Sequence, residues 1–205
     1  MRLVIALEGV HGCGKTTVFK RLQEKRADWV FFPEFMDPPK YPFGSRDSEV
    51  AFRAELWILQ QMLKRNRILK RIKKGVIVCD RSPLCVLAYS YALCSEEDYQ
   101  LLKEIYKVID WDEDIIFYFD ETLESVLPKI RKRQGRPREW NEDDPQYVAK
   151  IIEGYEEALK TTDRVVMRIK NSDVEKVSLK IIEEVEERVD SYPNKGLLTK
   201  ELYHK

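Results

Sequence analysis

The sequence is poor in the residues that build metal centres. It contains 2 histidines and 4 cysteines, and no two cysteines are spaced as a C-x-x-C pair. Two of the cysteines lie within apolar runs, where a reduced cysteine serves as a small core residue. A structural zinc site needs several such ligands at short spacings, so this composition argues against a zinc-dependent fold.

Long apolar runs and a net charge are also missing. No apolar stretch approaches the roughly 20 residues that a membrane-spanning helix needs. The apolar run at residues 2–7 is too short for a signal sequence. The 36 basic residues balance the 36 acidic ones, so no overall field draws the protein to nucleic acid or to an anionic membrane. We therefore expect a cytoplasmic protein with neither a nucleic-acid nor a membrane partner.

The 205 residues and their apolar content suit one globular domain with a single core. Almost continuously apolar runs predict strands buried on both faces, at 2–7, 29–32, 76–79, 115–119 and 164–169. Helical patterns separate these runs, and such alternation is typical of a parallel sheet covered by helices on both sides. We predict a three-layer α/β/α fold with a five-stranded parallel sheet over residues 1–189, followed by a C-terminal tail at 190–205.

Capping patterns mark where three of the helices begin. Ser95 is a predicted N-cap, and Asp144 precedes a proline at the first helical position of another helix. Ser172 and Glu175 have the spacing of a capping box ahead of an apolar stripe.

A glycine-rich segment, GVHGCGKTT at residues 9–17, follows the first predicted strand after one glutamate. Its Gly-x-x-x-x-Gly-Lys-Thr spacing is that of a phosphate-binding loop, in which backbone N–H groups and a helix N-terminus converge on phosphate oxygens. Lys15 is expected to reach the β- and γ-phosphates of ATP, and the Thr16 hydroxyl to help hold Mg²⁺. His11 and Cys13 occupy free positions and are interpreted as spacers. The predicted nucleotide-binding residues of the loop are Gly9, Gly12, Cys13, Gly14, Lys15, Thr16 and Thr17.

Charged residues follow the second and third predicted strands. Asp80 and Arg81 come directly after the run at 76–79, and Glu34 follows the run at 29–32. The carboxyl ends of parallel strands share the ligand-binding edge of a sheet. Asp80 is a candidate Mg²⁺ ligand, Arg81 can neutralise a transferring phosphoryl group, and Glu34 can accept a proton from an attacking hydroxyl.

A basic segment at residues 129–138 contains six cations and precedes an acidic run. Such a run is usually a solvated face or a nucleic-acid patch. Beside a phosphate loop, we favour a mobile lid at about 129–144 that carries arginines onto the triphosphate and excludes water. Arg131 is the predicted nucleotide contact, and Arg133, Arg136 and Arg138 are the predicted catalytic arginines.

These segments resemble the thymidylate kinase and deoxynucleoside kinase group of P-loop kinases. EGVHGCGKTT (8–17) fits both branches, and DRSPLCVLAY (80–89) resembles the thymidylate kinase pattern, with Ser82 and Cys85 as departures. WVFFPEF (29–35) and IRKRQGRPREW (130–140) resemble the deoxynucleoside kinase branch. The resemblance implies that Glu34 is the general base.

The same resemblance implies a substrate pocket that contains Glu34, Arg81, Trp57 and Gln61, with Phe35 where thymidylate kinases generally place an arginine. It also implies ATP as the phosphate donor, Mg²⁺ as the metal, and a possible homodimer.

We therefore predict a kinase that transfers the γ-phosphoryl group of Mg-ATP to a nucleoside 5′-hydroxyl. The alternative is a thymidylate (nucleoside monophosphate) kinase. A P-loop regulatory protein without a small-molecule acceptor and a nucleic-acid 5′-end kinase are further alternatives, and zero net charge counts against the latter. A switch-type GTPase reads guanine with an Asn-Lys-x-Asp motif. The only Asn-Lys pair in this sequence, Asn194-Lys195, is followed by Gly-Leu, so the sequence argues against a GTPase.

Overall fold

Five parallel strands form one sheet in the computed structural model, which describes residues 1–133, 141–170 and 172–191. Their spatial order is β2 (Val30–Phe32), β3 (Gly75–Asp80), β1 (Arg2–Glu8), β4 (Ile115–Phe119) and β5 (Val165–Ile169). The chain winds from the central β1 to both sides of the sheet, so the loops that follow the strands meet at one edge. The predicted five-stranded parallel sheet is confirmed.

Seven helices cover this sheet within the described part of the chain. They are α1 (Lys15–Lys25), α2 (Ser48–Leu69), α3 (Leu84–Leu93), α4 (Glu96–Val108), α5 (Leu123–Arg131), α6 (Pro145–Leu159) and α7 (Val174–Ser191). Successive strand side chains point to opposite faces, and residues 3–8 of β1 and all of β4 are buried. Both faces of the sheet are therefore covered, as the three-layer prediction requires. No helix in the described ranges has the length and apolarity to cross a bilayer.

The helix starts follow the capping patterns with one correction. Ser95 accepts a hydrogen bond from the Asp98 amide, and Asp144 accepts one from Gln146, with Pro145 at the first helical position. At α7 the cap is Asp173 rather than the predicted Ser172. The Asp173 carboxylate accepts from the Lys176 amide at 3.0 Å, because the first helical residue is Val174 and the cap precedes it.

A glycine sets the distance between α3 and α6. A Cβ atom at Gly154 would lie 2.4 Å from the carbonyl oxygen of Ala88, well inside van der Waals contact. The missing side chain thus lets α6 cross α3 backbone to backbone. The next residue, Tyr155, is fully buried and reaches the ligand-binding edge of the sheet.

The predicted tail lies almost entirely outside the described residues. Helix α7 runs to Ser191, and residues 192–205 follow it. The boundary between residues 189 and 190 therefore stays a prediction.

Candidate active site

A cavity opens where the loops after β1, β2 and β3 meet. Many of its lining residues are those the sequence predicted, with the phosphate loop at one end and the residues after β2 and β3 beside it. The predicted residues that line it are Gly12, Gly14, Lys15, Thr16, Glu34, Phe35, Asp80, Arg81 and Arg133.

Other predicted residues do not line the cavity or lie outside the described ranges. Gly9, Cys13, Thr17, Trp57, Gln61 and Arg131 are not among the described lining residues. Arg136 and Arg138 lie outside the described ranges. The roles predicted for these eight residues stay predictions.

Glycines determine the backbone shape of the phosphate loop, and the side chain of Lys15 binds back to the loop carbonyls. Gly12 has φ +88°, and a Cβ there would lie 2.6 Å from Cγ1 of Ile130, so a larger residue would strain the loop and collide with α5. The ammonium of Lys15 donates to the carbonyl oxygens of Gly9 (2.6 Å) and Val10 (3.0 Å). Lys15 is thus held at the loop, where a phosphate can compete for its protons.

Arg81 is the most heavily engaged cation of the site. Its backbone has φ +66°, a left-handed conformation that is uncommon outside glycine. Its guanidinium pairs with Glu34 through Nε and donates to the hydroxyls of Tyr155 (2.9 Å) and Tyr89 (3.2 Å). Both the turn and the side chain are therefore fixed before any ligand binds.

Glu8, the last residue of β1, ties together the elements that carry these groups. The Glu8 carboxylate accepts from the Ser82 amide (2.6 Å) and hydroxyl (2.7 Å), from the Tyr155 hydroxyl (2.8 Å) and from the Gly9 amide (3.1 Å). One fully buried carboxylate thereby joins the phosphate loop, the turn after β3 and helix α6. Ser82, a departure from the thymidylate kinase pattern, is one of its partners.

Arg65 of α2 also stabilises the turn after β3, which contains Asp80 and Arg81. It is 1% exposed and donates to the carbonyl oxygens of Asp80 (2.9 Å) and Arg81 (2.7 Å). Glu113, also buried, lies 3.5 Å from the guanidinium and offsets its charge. Sequence reasoning missed Arg65, since a basic residue in a helix usually faces solvent.

His11 connects the phosphate loop to the segment after the predicted arginines. One ring nitrogen lies 2.8 Å from the carbonyl oxygen of Glu142, and the other lies 3.2 Å from the Tyr89 hydroxyl. Burial lowers the pKa of His11 to about 3, with Arg81, Lys15 and Arg133 acting in the same direction. The ring is therefore neutral at physiological pH, donating to Glu142 and accepting from Tyr89.

Aromatic residues form part of the cavity wall. Phe35 and Phe43 stack with ring centroids 5.5 Å apart, and both rings line the cavity. Trp57 packs behind Phe35 at 5.2 Å, and the Gln61 side chain accepts from the Asp37 amide at 3.1 Å. In this structure Trp57 and Gln61 support the loop that carries Phe35.

Glu55 of α2 is an unexpected lining residue. It is 2% exposed, and its Oε2 atom has no hydrogen-bond partner among the described residues. Burial raises the pKa of Glu55 well above its usual range, against the nearby charge of Arg81. A buried acceptor left unsatisfied costs about 1–3 kcal/mol. Sequence reasoning missed Glu55, because a glutamate in a helix usually faces solvent.

The oxygen atoms available for a cation lie at the phosphate end of the cavity. The Thr16 hydroxyl and the Asp80 carboxylate both line it, beside Lys15. Burial raises the pKa of Asp80, and the charge of Lys15 opposes that shift. The described residues contain no group of three or more metal-ligating side chains. This donor set suits Mg²⁺, which takes one or two protein oxygens together with substrate phosphates.

Known proteins resemble this chain in fold and in overall sequence. The solved structure of deoxyadenosine kinase from M. mycoides with bound dATP has a TM-score of 0.73 at 20% identity, and the match covers 90% of this chain and all of that one. Thymidylate kinase of Staphylococcus haemolyticus is 26% identical over 79% of this chain and 86% of its own. Deoxyguanosine kinase of Bacillus subtilis is 27% identical over 76% and 78%. A model of the deoxynucleoside kinase family matches residues 5–195, and the chain therefore belongs to this family of nucleoside kinases.

Proposed function

We propose that this kinase transfers the γ-phosphoryl group of Mg-ATP to the 5′-hydroxyl of a deoxynucleoside. The observation that carries the proposal is the environment of Glu34. Its carboxylate lines the cavity next to Arg81, and the stacked rings of Phe35 and Phe43 line the same cavity. A carboxylate beside an apolar wall suits a neutral hydroxyl-bearing acceptor better than an anionic one.

The donor is assigned to the phosphate-loop end of the cavity. Lys15 exchanges its bonds to Gly9 and Val10 for bonds to phosphate oxygens, and the N-terminal end of α1 adds its positive dipole. Thr16 and Asp80 are the residues that would hold Mg²⁺ there. When bound, the ion neutralises charge on the phosphates of the donor.

Glu34 and Arg81 divide the work on the acceptor side. Glu34 accepts the proton of the 5′-hydroxyl as that oxygen attacks phosphorus, while Arg81 faces the charge on the transferring group. Tyr155 and Arg65 hold Arg81 through the hydrogen bonds described above, and the Glu8 carboxylate lies 3.8 Å from its guanidinium. Little covalent chemistry is asked of the protein, so positioning and charge supply most of the acceleration.

A monophosphate acceptor has less support in this geometry. Thymidylate kinases generally carry an arginine where this chain has Phe35, and Phe35 is packed into the aromatic wall. Arg46 and Arg53, the two cations that could replace it, are exposed and pair with Asp144 and Glu49. Neither belongs to the described lining of the cavity.

The test compares nucleosides with their 5′-monophosphates as acceptors in an assay of ADP release, for the parent enzyme and for Glu34→Gln. Glutamine keeps the size and polarity of glutamate but cannot take the proton. We expect Glu34→Gln to lower kcat with nucleosides by at least about 100-fold, while ATP affinity stays nearly unchanged.

Lys15→Ala serves as the control for a defect in the contact with ATP, the phosphate donor. It removes the cation that faces the ATP phosphates and leaves Glu34 in place. Turnover of monophosphates alone by the parent enzyme, or full nucleoside turnover by Glu34→Gln, would contradict the proposal. ADP release that no acceptor stimulates would instead favour a regulatory protein.

A further inference from the structure

A short segment that precedes α6, residues 141–144, is hydrogen-bonded to two different loops of the site, and we call it the linking segment. One of these loops is the phosphate loop. The other, which we call the acceptor loop, is the connection between β2 and α2 (residues 33–47), and it carries the cavity-lining residues Glu34, Phe43 and Gly44. The linking segment belongs to neither loop, so its bonds connect the donor half of the site with the acceptor half.

His11 holds the linking segment to the phosphate loop. Glu142 offers a backbone carbonyl oxygen at this contact, so the ring nitrogen Nε2, 2.8 Å away, donates. In the neutral ring the other nitrogen then accepts, and the Tyr89 hydroxyl lies 3.2 Å from it. Tyr89 in turn accepts from Arg81. The hydrogen bonds therefore run in one direction from Arg81 through Tyr89 and His11 to the linking segment.

Asn141 and Asp144 hold the linking segment to the acceptor loop. The side-chain amide of Asn141 donates to the carbonyl oxygen of Gly44 at 3.0 Å, and Asp144 pairs with Arg46 at 2.8 Å. The Arg46 side chain is 77% exposed, so this ion pair contributes little. Asn141 has φ +49°, a left-handed conformation that asparagine adopts more readily than most residues. The hydrogen bond from Asn141 to Gly44 is thus the main connection on this side.

We propose that the linking segment couples the two halves of the site, so that a nucleotide at the phosphate loop and a nucleoside beside the acceptor loop each raise the affinity for the other. This inference rests on the proposed function, which supplies the two ligands. Couplings of this kind typically change an affinity about 5- to 150-fold, and the factor is equal in both directions. His11 and Asn141 act here as positioning residues, through their bonds to Glu142 and Gly44.

The sign of the coupling follows from what each ligand orders. A ligand that fixes one loop also fixes the linking segment, through the hydrogen bond between them. The second ligand then meets a loop that is already partly ordered, and it loses less conformational entropy on binding. A segment bonded to only one loop would transmit nothing, so the bonds of both His11 and Asn141 are needed.

The experiment measures two affinities by calorimetry, each with and without the other ligand. One is the affinity for a nucleoside (deoxyadenosine, deoxycytidine, deoxyguanosine or thymidine), and the other is the affinity for a non-hydrolysable ATP analogue with Mg²⁺. For the parent enzyme, we expect the analogue to tighten binding of the accepted nucleoside at least about fivefold, and the nucleoside to tighten binding of the analogue by the same factor.

Two variants break the link, one at each end, with little change of shape. Asn141→Gly keeps the left-handed backbone but lacks the amide, and His11→Phe keeps a flat ring against Tyr147 but lacks the ring nitrogens. Each variant should lower the coupling factor towards one. The control Asp143→Asn, at an exposed position of the same segment, should retain the coupling factor of the parent.

A coupling factor near one in the parent enzyme, or an unchanged factor in either variant, would overturn the inference. Hydrogen exchange gives a second readout, because a nucleoside alone should slow exchange in the phosphate loop more in the parent than in Asn141→Gly. Urea unfolding checks that each variant is folded, and the two variants test the link independently. If the parent enzyme accepts only monophosphates, the proposed function fails. The same measurements with dAMP, dCMP, dGMP and dTMP then test the linking segment separately.

Discussion

Individual side chains in this site are held by partners that leave them little freedom. Arg81 has four classes of partner (a carboxylate, two tyrosine hydroxyls, a backbone carbonyl and an aromatic face) and is only 8% exposed. A guanidinium fixed in this way loses little conformational entropy when a phosphoryl group arrives. The site therefore contains a cation that is already fixed in place, as the proposed charge stabilisation requires.

His11 leads to a prediction about stability at acid pH. The unfolded chain protonates His11 near its ordinary pKa of 6.5, whereas the folded chain does so only near 3, because burial disfavours the charged ring. Between these values the unfolded state binds more protons, so stability is lost as pH falls below about 6.5. From pH 7 to pH 5 the loss from this group alone is about 2 kcal/mol.

Urea unfolding at pH 7 and pH 5 checks this prediction. His11→Gln should lose about 2 kcal/mol less than the parent protein over that interval. In NMR spectra the His11 ring should not titrate between pH 5 and 8, and a His204→Gln variant assigns its signal because it leaves one histidine. A ring that titrates near pH 6.5 would show that the prediction is wrong.

Arg65 carries a second prediction at this scale. Arg65→Met removes the donors that hold the Asp80 and Arg81 carbonyls and leaves Glu113 buried without its cation. We expect a loss of about 3–5 kcal/mol of stability, together with a lower kcat. The exposed Arg67→Met on the same helix is the matched control.

The double variant Arg65→Met/Glu113→Gln separates the two effects. It removes the uncompensated charge and should recover much of the stability, but turnover should stay low because the turn at Arg81 remains unsupported. Normal turnover in the double variant would contradict a positioning role for Arg65.

At the scale of elements, the crossing of α3 and α6 connects helix packing to the candidate active site. Gly154 lies against the Ala88 backbone, and the adjacent Tyr155 donates to Glu8 and accepts from Arg81. The close approach of these helices therefore sets the position of a hydroxyl in the site. A wider crossing would carry Tyr155 away from both partners.

Gly154→Ala tests this coupling. Alanine is the better helix former by about 1 kcal/mol, yet its Cβ would lie 2.4 Å from the Ala88 carbonyl, so α6 must shift. We expect net destabilisation of about 1–3 kcal/mol in urea unfolding and a lower kcat. Lys150→Ala, at an exposed position of α6, should change neither. Unchanged stability and turnover in Gly154→Ala would rule out a tight crossing.

At the scale of the whole molecule, two described residues of the predicted lid, Arg133 and Glu142, lie at the cavity that the phosphate loop lines. Arg133 lines the cavity and lies 4.0 Å from Glu142, whose carbonyl accepts from His11. The movement of this lid and the possible homodimer both stay predictions.

Hydrogen exchange tests the lid. Six cations within residues 129–138 repel one another, and nucleotide phosphates would offset that repulsion. We expect exchange at 129–133 and 141–144 to slow when an ATP analogue and Mg²⁺ are added, whereas residues 177–185 of α7 serve as the unaffected reference. Equal protection with and without ligand would indicate a static solvated face.

The sequence by itself determined the fold class, the phosphate loop and the charged residues after β2 and β3. Each of those features depends on a short stretch of sequence. Apolar runs specify the strands, and the glycine spacing specifies the loop. Parallel strands then bring the residues that follow them to one edge of the sheet. Lys15, Asp80 and Arg81 could be named for this reason, because each lies at a fixed distance from a strand.

Only the tertiary structure decided which further residues complete the site. Glu8 meets Tyr155 across 147 positions and Ser82 across 74, and Arg65 reaches a turn 15 residues further along the chain. Glu55 differs from a solvated glutamate only in what surrounds it. Burial and pairing arise when distant elements pack, and no local pattern encodes them, because desolvation and hydrogen bonding depend on neighbours in space rather than in sequence.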